Sequence, residues 1–158
     1  MSFIIGIDPG VNGAVAILTD DGGLVQVFDM PSVEVNVGNK AKRRISPEML
    51  AAELRLYSVS GTVAIIEQVN AMPGQGVASM FAFGEAFGLA KGVLSGMFIP
   101  VQTVTPAKWK KAMNLNAGKD ASRAKAAALW PEQAQEFRRV KDDGKAEAAL
   151  IACWWRTQ

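Results

Sequence analysis

Four acidic residues stand at positions from which their carboxylates could act on one ligand. Asp8 and Glu67 each come directly after an apolar run that is typical of a buried strand. Because neighbouring parallel strands end at one edge of a sheet, we expect these two side chains to lie close together. Asp143 and Glu147 are four residues apart, so on a helix they project from one face, just before a buried apolar segment.

The composition restricts the chemistry that such a site can perform. The chain contains no histidine and one cysteine, Cys153. This excludes histidine-dependent nucleophiles, histidine-based acid–base pairs and nearly every zinc site. Carboxylates offer only oxygen ligands, which select Mg²⁺ or Mn²⁺, and the four acids balance two divalent ions. Because two ions about 4 Å apart can activate a water and stabilise the leaving oxygen of a phosphodiester, the sequence predicts a two-metal hydrolytic site.

Basic residues are concentrated in two short segments, although the net charge is only +2. Ten of the seventeen lysines and arginines lie within residues 40–44 and 108–125. Such clustering is typical of a protein that binds a phosphate backbone; solvated loop and helix faces are the alternative interpretation. The residues that we expect to contact phosphates are Lys40, Lys42, Arg43, Arg44, Lys108, Lys110, Lys111, Lys119, Arg123 and Lys125.

Length and composition predict one globular domain over residues 1–158, since 49% of the residues are hydrophobic and 20% are charged. No apolar run approaches the ~20 residues of a membrane helix, and no basic region precedes the short apolar stretch at the N-terminus. We therefore expect neither a membrane partner nor a signal peptide. The single cysteine excludes an internal disulfide and favours a reducing compartment, so we expect a cytoplasmic location.

The elements that must position the acids follow an α/β pattern. Three strands with a hairpin turn at residues 20–23 predict an antiparallel meander, and two later apolar runs predict parallel strands. We therefore predict a mixed five-stranded sheet flanked by helices. The strands are predicted over residues 3–8, 14–19, 24–28, 62–66 and 98–104.

Helices are indicated between and after these strands. Ser46-Pro47-Glu48 and Thr105-Pro106 are helix starts, and alanine-rich or apolar periodicity marks the others. The segment 31–45 mixes Pro, Gly, Asn and charged residues with little periodicity, so we predict a mobile loop there. The helices are predicted over residues 46–57, 77–96, 119–129 and 143–155, with one more starting at Thr105-Pro106.

Three motifs together resemble the RuvC family of Holliday junction resolvases. They are Gly6-Ile7-Asp8-Pro9-Gly10, Ile66-Glu67-Gln68-Val69 and the segment 143–152, and they occur in the family's order along the whole chain. The segment 102–106 with its downstream lysines is similar to that family's DNA-contacting region. The resemblance implies a ribonuclease H-like fold, a homodimer with two active sites, and paired metal-dependent nicks in opposing strands of a four-way DNA junction.

The resemblance also implies roles for particular acids. Asp8 and Glu67 fall on the first two catalytic acids of the family, and Glu147 falls where the final helix usually carries its last aspartate. Bacterial members carry the remaining acid three residues before that last one, and here Gly144 occupies the position. Asp143 is the natural replacement.

Asp142 is the alternative to Asp143 as that fourth ligand. The four-residue spacing, with glutamate as the last ligand, resembles a phage-type branch, which implies a bacterial or phage-infected cell. Bacterial members often carry an aromatic residue, which wedges into the junction, where this chain has Asn70. We place Asn70 among the DNA contacts. Met72 or Phe81 could replace the wedge, but the favoured interpretation is that Phe81 and Phe83 pack their helix.

Other functions compete with junction resolution. Within nucleases, an enzyme of the same fold could cut flaps or several branched DNA structures. A catalytically inert junction-binding module would keep the basic segments but would have no use for four converging acids. An ATPase or sugar kinase of the superfamily needs a second phosphate-binding hairpin and an adenosine pocket. We expect that 158 residues with one Asp-Gly turn cannot supply both.

We expect the homodimer interface on the helix over residues 77–96. Its phenylalanines exceed what one sheet-facing stripe requires, and Gly84, Gly88 and Gly92 recur every fourth residue, which would allow close approach of a second helix. The alternative is that these glycines fit the helix onto its own sheet.

Overall fold

A five-stranded mixed sheet forms the centre of the fold. The computed structural model describes residues 1–118 and 120–158; Lys119, predicted as a DNA contact, lies outside the described residues. The strands are β1 Phe3–Asp8, β2 Ala14–Thr19, β3 Leu24–Asp29, β4 Ser32–Val37, β5 Lys40–Ile45, β6 Val63–Glu67 and β7 Val101–Val104. The order in the five-stranded sheet is β3-β2-β1-β6-β7, antiparallel within β1–β3 and parallel from β1 to β6 and β7. This confirms the predicted sheet.

Helices cover both faces of the sheet. The first two pack on one face, where Ile5, Ile7 and Ile66 are buried, and the last three pack on the other. The α-helices are α1 Pro47–Leu54, α2 Val77–Gly96, α3 Pro106–Ala112, α4 Ala121–Leu129 and α5 Asp143–Arg156, with 3₁₀ turns at Arg55–Tyr57, Pro131–Phe137 and Val140–Asp142.

The register of the central strands sets the two strand-end acids side by side. Ile7 of β1 pairs in parallel with Ile66 of β6, so Asp8 and Glu67 follow at the same edge of the sheet. Side chains alternate across a strand, which places Asp8 on the same face as Gly6. That face carries helix α5.

Gly6 allows α5 to lie directly on the sheet. A Cβ at this position would stand 2.0 Å from the carbonyl oxygen of Ala148, so any other residue would push the helix outward. Burial of the α5 segment from Ala148 to Trp154 stabilises this contact. The close packing brings the first turns of α5 to the end of β1.

The predicted mobile loop over residues 31–45 was wrong. Strands β4 and β5 form an antiparallel hairpin, in which Val37 pairs with Lys40 around the turn Gly38-Asn39, and Gly38 has a φ of 62°. The alternation of Val33, Val35 and Val37 is the period-2 signal of a strand, and a glycine-containing two-residue turn is typical of a hairpin. The charged residues of β5 obscured that signal.

The predicted strand over 98–104 begins only at Val101. The preceding residues end α2 instead: Phe98 takes a φ of 58°, and the amide of Ile99 donates to the carbonyl of Leu94. This left-handed termination, followed by Pro100, delays the start of β7 until Val101.

Helix α2 lies on the sheet along one narrow stripe. Ala86, Ala90 and Leu94 are buried, whereas most of the helix is exposed. Contrary to the expectation from the sequence, α2 is long and apolar enough to cross a membrane by length and composition. A single helix that meets this criterion is weak support for a membrane span, because core helices of soluble proteins also meet it.

Candidate metal centre and its surroundings

Three of the four predicted acids converge at the end of the central strands. Asp8, Glu67 and Glu147 each offer one carboxylate oxygen, and these oxygens all lie within 4.8 Å of one another. Strand β1 ends at Asp8, β6 ends at Glu67, and Glu147 is one turn into α5. All three residues are partly buried.

The electrostatics of this cluster disfavour three negative charges without a cation. Burial raises the pKa of Asp8 well above its usual value, and the charges of Glu147 and Glu67 raise it further. Burial also raises the pKa of Glu67, against the opposing effect of a hydrogen bond from Trp109. Oxygen ligands this close together fit a hard divalent cation, which would relieve the repulsion.

A lysine supplies positive charge inside the cluster. The ammonium of Lys110 lies 2.9 Å from Oε1 of Glu147. Burial lowers the pKa of Lys110, but its hydrogen bond to Glu147 and the charges of Glu147, Glu67 and Asp8 outweigh this, so the pKa is raised. Lys110 was predicted as a phosphate contact, whereas here its charge faces the acids.

A tryptophan lies behind the same cluster. Trp109 is fully buried, and its indole Nε1 donates a 2.6 Å hydrogen bond to Oε2 of Glu67. Helix α3, which follows the Thr105-Pro106 start, places Trp109 toward the core. Trp109 was not predicted from the sequence, because its partner lies 42 positions away and an apolar residue in a short helix is usually a core residue.

Asp143, the fourth predicted acid, lies beside the cluster and is paired with an arginine. It lines a cavity together with Asp8 and Glu147, and its Oδ1 accepts a 2.6 Å hydrogen bond from Nε of Arg123. Arg123 also pairs with Asp120. Arg123, predicted as a phosphate contact, is thus occupied by two carboxylates.

Asp142 is held by a different arginine. It is 1% exposed, and both of its oxygens accept hydrogen bonds from the Arg139 side chain, at 2.8 to 3.2 Å. The backbone amide of Arg139 donates a further bond of 2.8 Å. The Arg139 hydrogen bonds lower the pKa of Asp142. This set of bonds anchors the start of α5.

The turn after Asp8 requires glycine at two positions. Gly10 has a φ of 117°, and the amide of Gly13 donates to the carbonyl of Gly10 at 3.0 Å. A Cβ on Gly13 would lie 1.9 Å from the carbonyl oxygen of Asp8. Glycine at these two positions therefore lets the backbone turn tightly beside Asp8.

The β4–β5 hairpin is fastened to this turn by Arg43. Its guanidinium donates to the carbonyl of Val11 at 3.0 Å and to Oδ1 of Asn12 at 3.1 Å. The neighbouring Arg44 pairs with Glu85 of α2 at 3.3 Å. Both arginines were predicted to contact phosphates, and both bind protein groups in this structure.

The other predicted DNA contacts differ in their surroundings. Lys108 lies over the ring of Trp154, 5.5 Å from its centroid. Asn70 is exposed, accepts a hydrogen bond from Gln68, and lines a cavity next to Glu67. Four further lysines of the predicted set are described by the structure. Three of them are exposed, Lys40, Lys42 and Lys111, and the fourth, Lys125, is partly buried.

Comparison with known proteins gives one similar sequence and a shared fold. No family model matches the chain. The chain is 31% identical over 155 residues to the chloroplastic Holliday junction resolvase MOC1 of Chlamydomonas reinhardtii. The alignment covers 82% of this chain but 17% of that protein, so the chain spans about a sixth of the length of this relative.

Two solved structures of RuvC from Thermus thermophilus have the same fold. The RuvC complex with a Holliday junction substrate superposes with a TM-score of 0.61 and 14% identity, covering 96% of this chain and 91% of that one. A second RuvC structure gives a TM-score of 0.58 and 16% identity, over 98% of this chain and 96% of the other. The chain therefore has the RuvC, ribonuclease H-like fold that the resemblance implied.

Proposed function

We propose that this protein is a metal-dependent endonuclease that resolves four-way DNA junctions by paired nicks in opposing strands. The observation that carries the proposal is the convergence of Asp8, Glu67 and Glu147 at the strand ends of a RuvC fold. The similarity to a Holliday junction resolvase supports the choice of junctions over other phosphodiester substrates.

The metal centre would be held by the three converging acids. Mg²⁺ or Mn²⁺ suits their oxygen ligands, and Asp143, at the edge of the same cavity, is the candidate further ligand for a second ion. When bound, such ions supply water activation and stabilisation of the leaving oxygen. Arg123 engages only Oδ1 of Asp143, so a metal would bind through Oδ2 or displace Arg123 from Oδ1.

The chain's own residues supply the approach for the phosphate. The turn at residues 9–13 lies beside Asp8, and glycine at positions 10 and 13 lets its backbone fold tightly there. The exposed lysines of the hairpin and of α3 supply charge for the backbone, and we retain Lys40, Lys42 and Lys111 as the main phosphate contacts. Arg43 and Arg44 instead hold the hairpin against the turn and α2.

The homodimer belongs to the same proposal. A Cβ at Gly84, Gly88 or Gly92 would meet no atom within 4 Å, so these glycines do not fit α2 onto its own sheet. Phe81 and Phe83, 71% and 45% exposed, lie on the same helix. A second copy packed here would give a two-fold assembly with two active sites, which matches the near two-fold symmetry of a four-way junction.

Digestion of defined DNA substrates tests the proposed activity. Purified protein with Mg²⁺ or Mn²⁺ is incubated with four-way, three-way, flap and linear duplex DNA, each labelled on every strand. Symmetric nicks in the four-way junction support resolution. Equal cutting of flaps favours the broader branched-DNA nuclease, and binding without cutting favours the inert module.

Sedimentation equilibrium at micromolar concentration, with and without junction DNA, tests the dimer. A two-fold assembly supports the proposal, and a 16.9 kDa species under both conditions contradicts it. The phage-type branch and the cytoplasmic location remain predictions from the sequence.

A further inference from the structure

Glu67 is held by a neutral donor, unlike Glu147 of the same cluster. Oε2 of Glu67 accepts the 2.6 Å bond from the indole of Trp109, whereas Glu147 is bonded to the ammonium of Lys110. Within the part of the chain that the structure describes, no other side chain donates a hydrogen bond to Glu67. The orientation of this carboxylate therefore depends on Trp109.

The indole is itself rigid. Trp109 is 0% exposed and belongs to the core cluster between the sheet and α5, so its ring cannot rotate without disturbing that core. A short bond from a fixed donor restricts the carboxylate to one orientation. One oxygen is engaged, and the other remains available to a ligand.

We propose that Trp109 is a positioning residue, which orients the Glu67 carboxylate for a divalent cation through its indole N–H. This inference rests on the proposed metal site. Residues that hydrogen bond to metal ligands typically contribute 10–100-fold to metal affinity, because they reduce the freedom that the ligand loses on binding. A lysine or arginine at this place would neutralise the acid. The indole carries no charge, so Trp109 fixes the geometry of the carboxylate and leaves its negative charge for a cation.

The chain offers a matched control in Trp130. Trp130 belongs to the same core cluster, is 7% exposed, and its Nε1 donates a 3.0 Å hydrogen bond to the carbonyl of Gly22. That partner is a backbone group in the β2–β3 turn and not an acid. Trp109→Phe and Trp130→Phe thus remove the same chemical group from the same core, and only the first removes it from Glu67.

Binding of Mn²⁺ in the absence of DNA tests the inference without an activity measurement. Free Mn²⁺ is measured by electron paramagnetic resonance during titration of the full chain, and urea unfolding is measured for each variant. We expect Trp109→Phe to weaken Mn²⁺ binding roughly 10–100-fold and Trp130→Phe to leave it unchanged, although both lower stability. If Trp109→Phe fails to fold, benzothienylalanine at position 109, which replaces the N–H with sulfur in a ring of equal size, takes its place.

A double variant shows whether Trp109 acts through Glu67. In a Glu67→Gln background, Trp109→Phe should cause little further loss of Mn²⁺ affinity, since the carboxylate it orients is absent. Equal Mn²⁺ binding by wild type and Trp109→Phe overturns the role of Trp109 but leaves the proposed metal site intact. The same holds if Trp130→Phe loses as much Mn²⁺ affinity as Trp109→Phe. Absence of Mn²⁺ binding in the wild type overturns the proposed metal site itself.

Discussion

Asp142 and Asp143 at the start of α5 differ in their partners from the neighbouring cluster of Asp8, Glu67 and Glu147. Asp142 and Asp143 each have an arginine, Arg139 and Arg123 respectively. In the cluster of Asp8, Glu67 and Glu147, Lys110 bonds to Glu147 and interacts with the other two acids only through its charge. The first pair is neutralised by the protein, and the second group retains a net negative charge when ionised.

This difference indicates how a carboxylate's role can be assigned. An acid with its own arginine gains stability from that pair and has little need of another cation. In the other group the acids are partly buried and close together, and the pKa values of Asp8 and Glu67 are raised. Their ionised forms are therefore unfavourable, and a further cation would stabilise them. Asp143 lies between the two cases, since it faces the cavity while bound to Arg123.

The largest expected effect is on cleavage by Asp8→Asn. Loss of this ligand should lower the cleavage rate by at least about a thousandfold, since metal catalysis supplies several kcal/mol and each 1.4 kcal/mol is tenfold. Junction binding should stay intact or become tighter, because one negative charge near the DNA is removed. Rates on a four-way junction and gel-shift affinities measure both, and near-normal cleavage would contradict the metal-nuclease proposal.

Asp143→Asn should have an intermediate effect. Because Arg123 already occupies this carboxylate, we expect a loss of roughly 10–100-fold in cleavage, the range for residues next to a metal site. Single-turnover rates at saturating Mg²⁺ check this. A loss as large as that of Asp8→Asn would place Asp143 with the strand-end acids.

Asp142→Asn should affect stability and leave cleavage near normal. It removes the charge from a buried, charge-assisted set of hydrogen bonds, and we expect the free energy of unfolding to fall by about 2 kcal/mol. Urea unfolding and the junction assay measure the two effects. A loss of cleavage with unchanged stability would make Asp142, the alternative from the sequence, the ligand.

In metal-free protein, the two groups of acids should also have opposite effects on how the stability of the fold changes with pH. The pKa of Asp8 is raised on folding, so its ionisation destabilises the fold as pH rises from about 3.8 through the higher folded value. The pKa of Asp142 is lowered, so its pair contributes fully above about pH 3.8 and is lost as pH falls through the folded value.

Urea unfolding between pH 3 and 8 in the presence of a chelator measures these slopes. As pH rises, the free energy of unfolding of Asp8→Asn should increase relative to that of wild type. For Asp142→Asn it should decrease relative to wild type as pH rises through the acidic part of the range. Parallel curves for both variants and wild type would remove the contrast between the groups.

The smallest expected effect concerns Lys110. Without its ammonium, the three acids lose a competitor for the metal, and we expect Lys110→Ala to bind Mn²⁺ roughly fivefold more tightly, which corresponds to about 1 kcal/mol for unit charges near 4 Å in water. The adjacent Lys111→Ala, which changes an exposed side chain, is the control. Unchanged Mn²⁺ affinity in Lys110→Ala would show that this lysine does not offset the acids.

Much of the fold could be predicted because its signals are local. Apolar runs that end at Asp8 and Glu67, and helix starts such as Thr105-Pro106, lie within a few consecutive residues. The β4–β5 hairpin also had a local signal in its alternating valines, but the charges of β5 favoured a loop in the sequence analysis. The predicted order and direction of the five central strands agree with the structure.

The sequence by itself determined which ligands are available: oxygen donors without histidine, at the ends of two apolar strands and at the start of an apolar helix. Only the tertiary structure decided how each charge is used. Arg43, Lys110 and Arg123 are long side chains that each bond to at least one partner 20 to 37 positions away, because packed elements bring that partner within reach. The deciding contact is the close approach of α5 to Gly6, which no local pattern specifies.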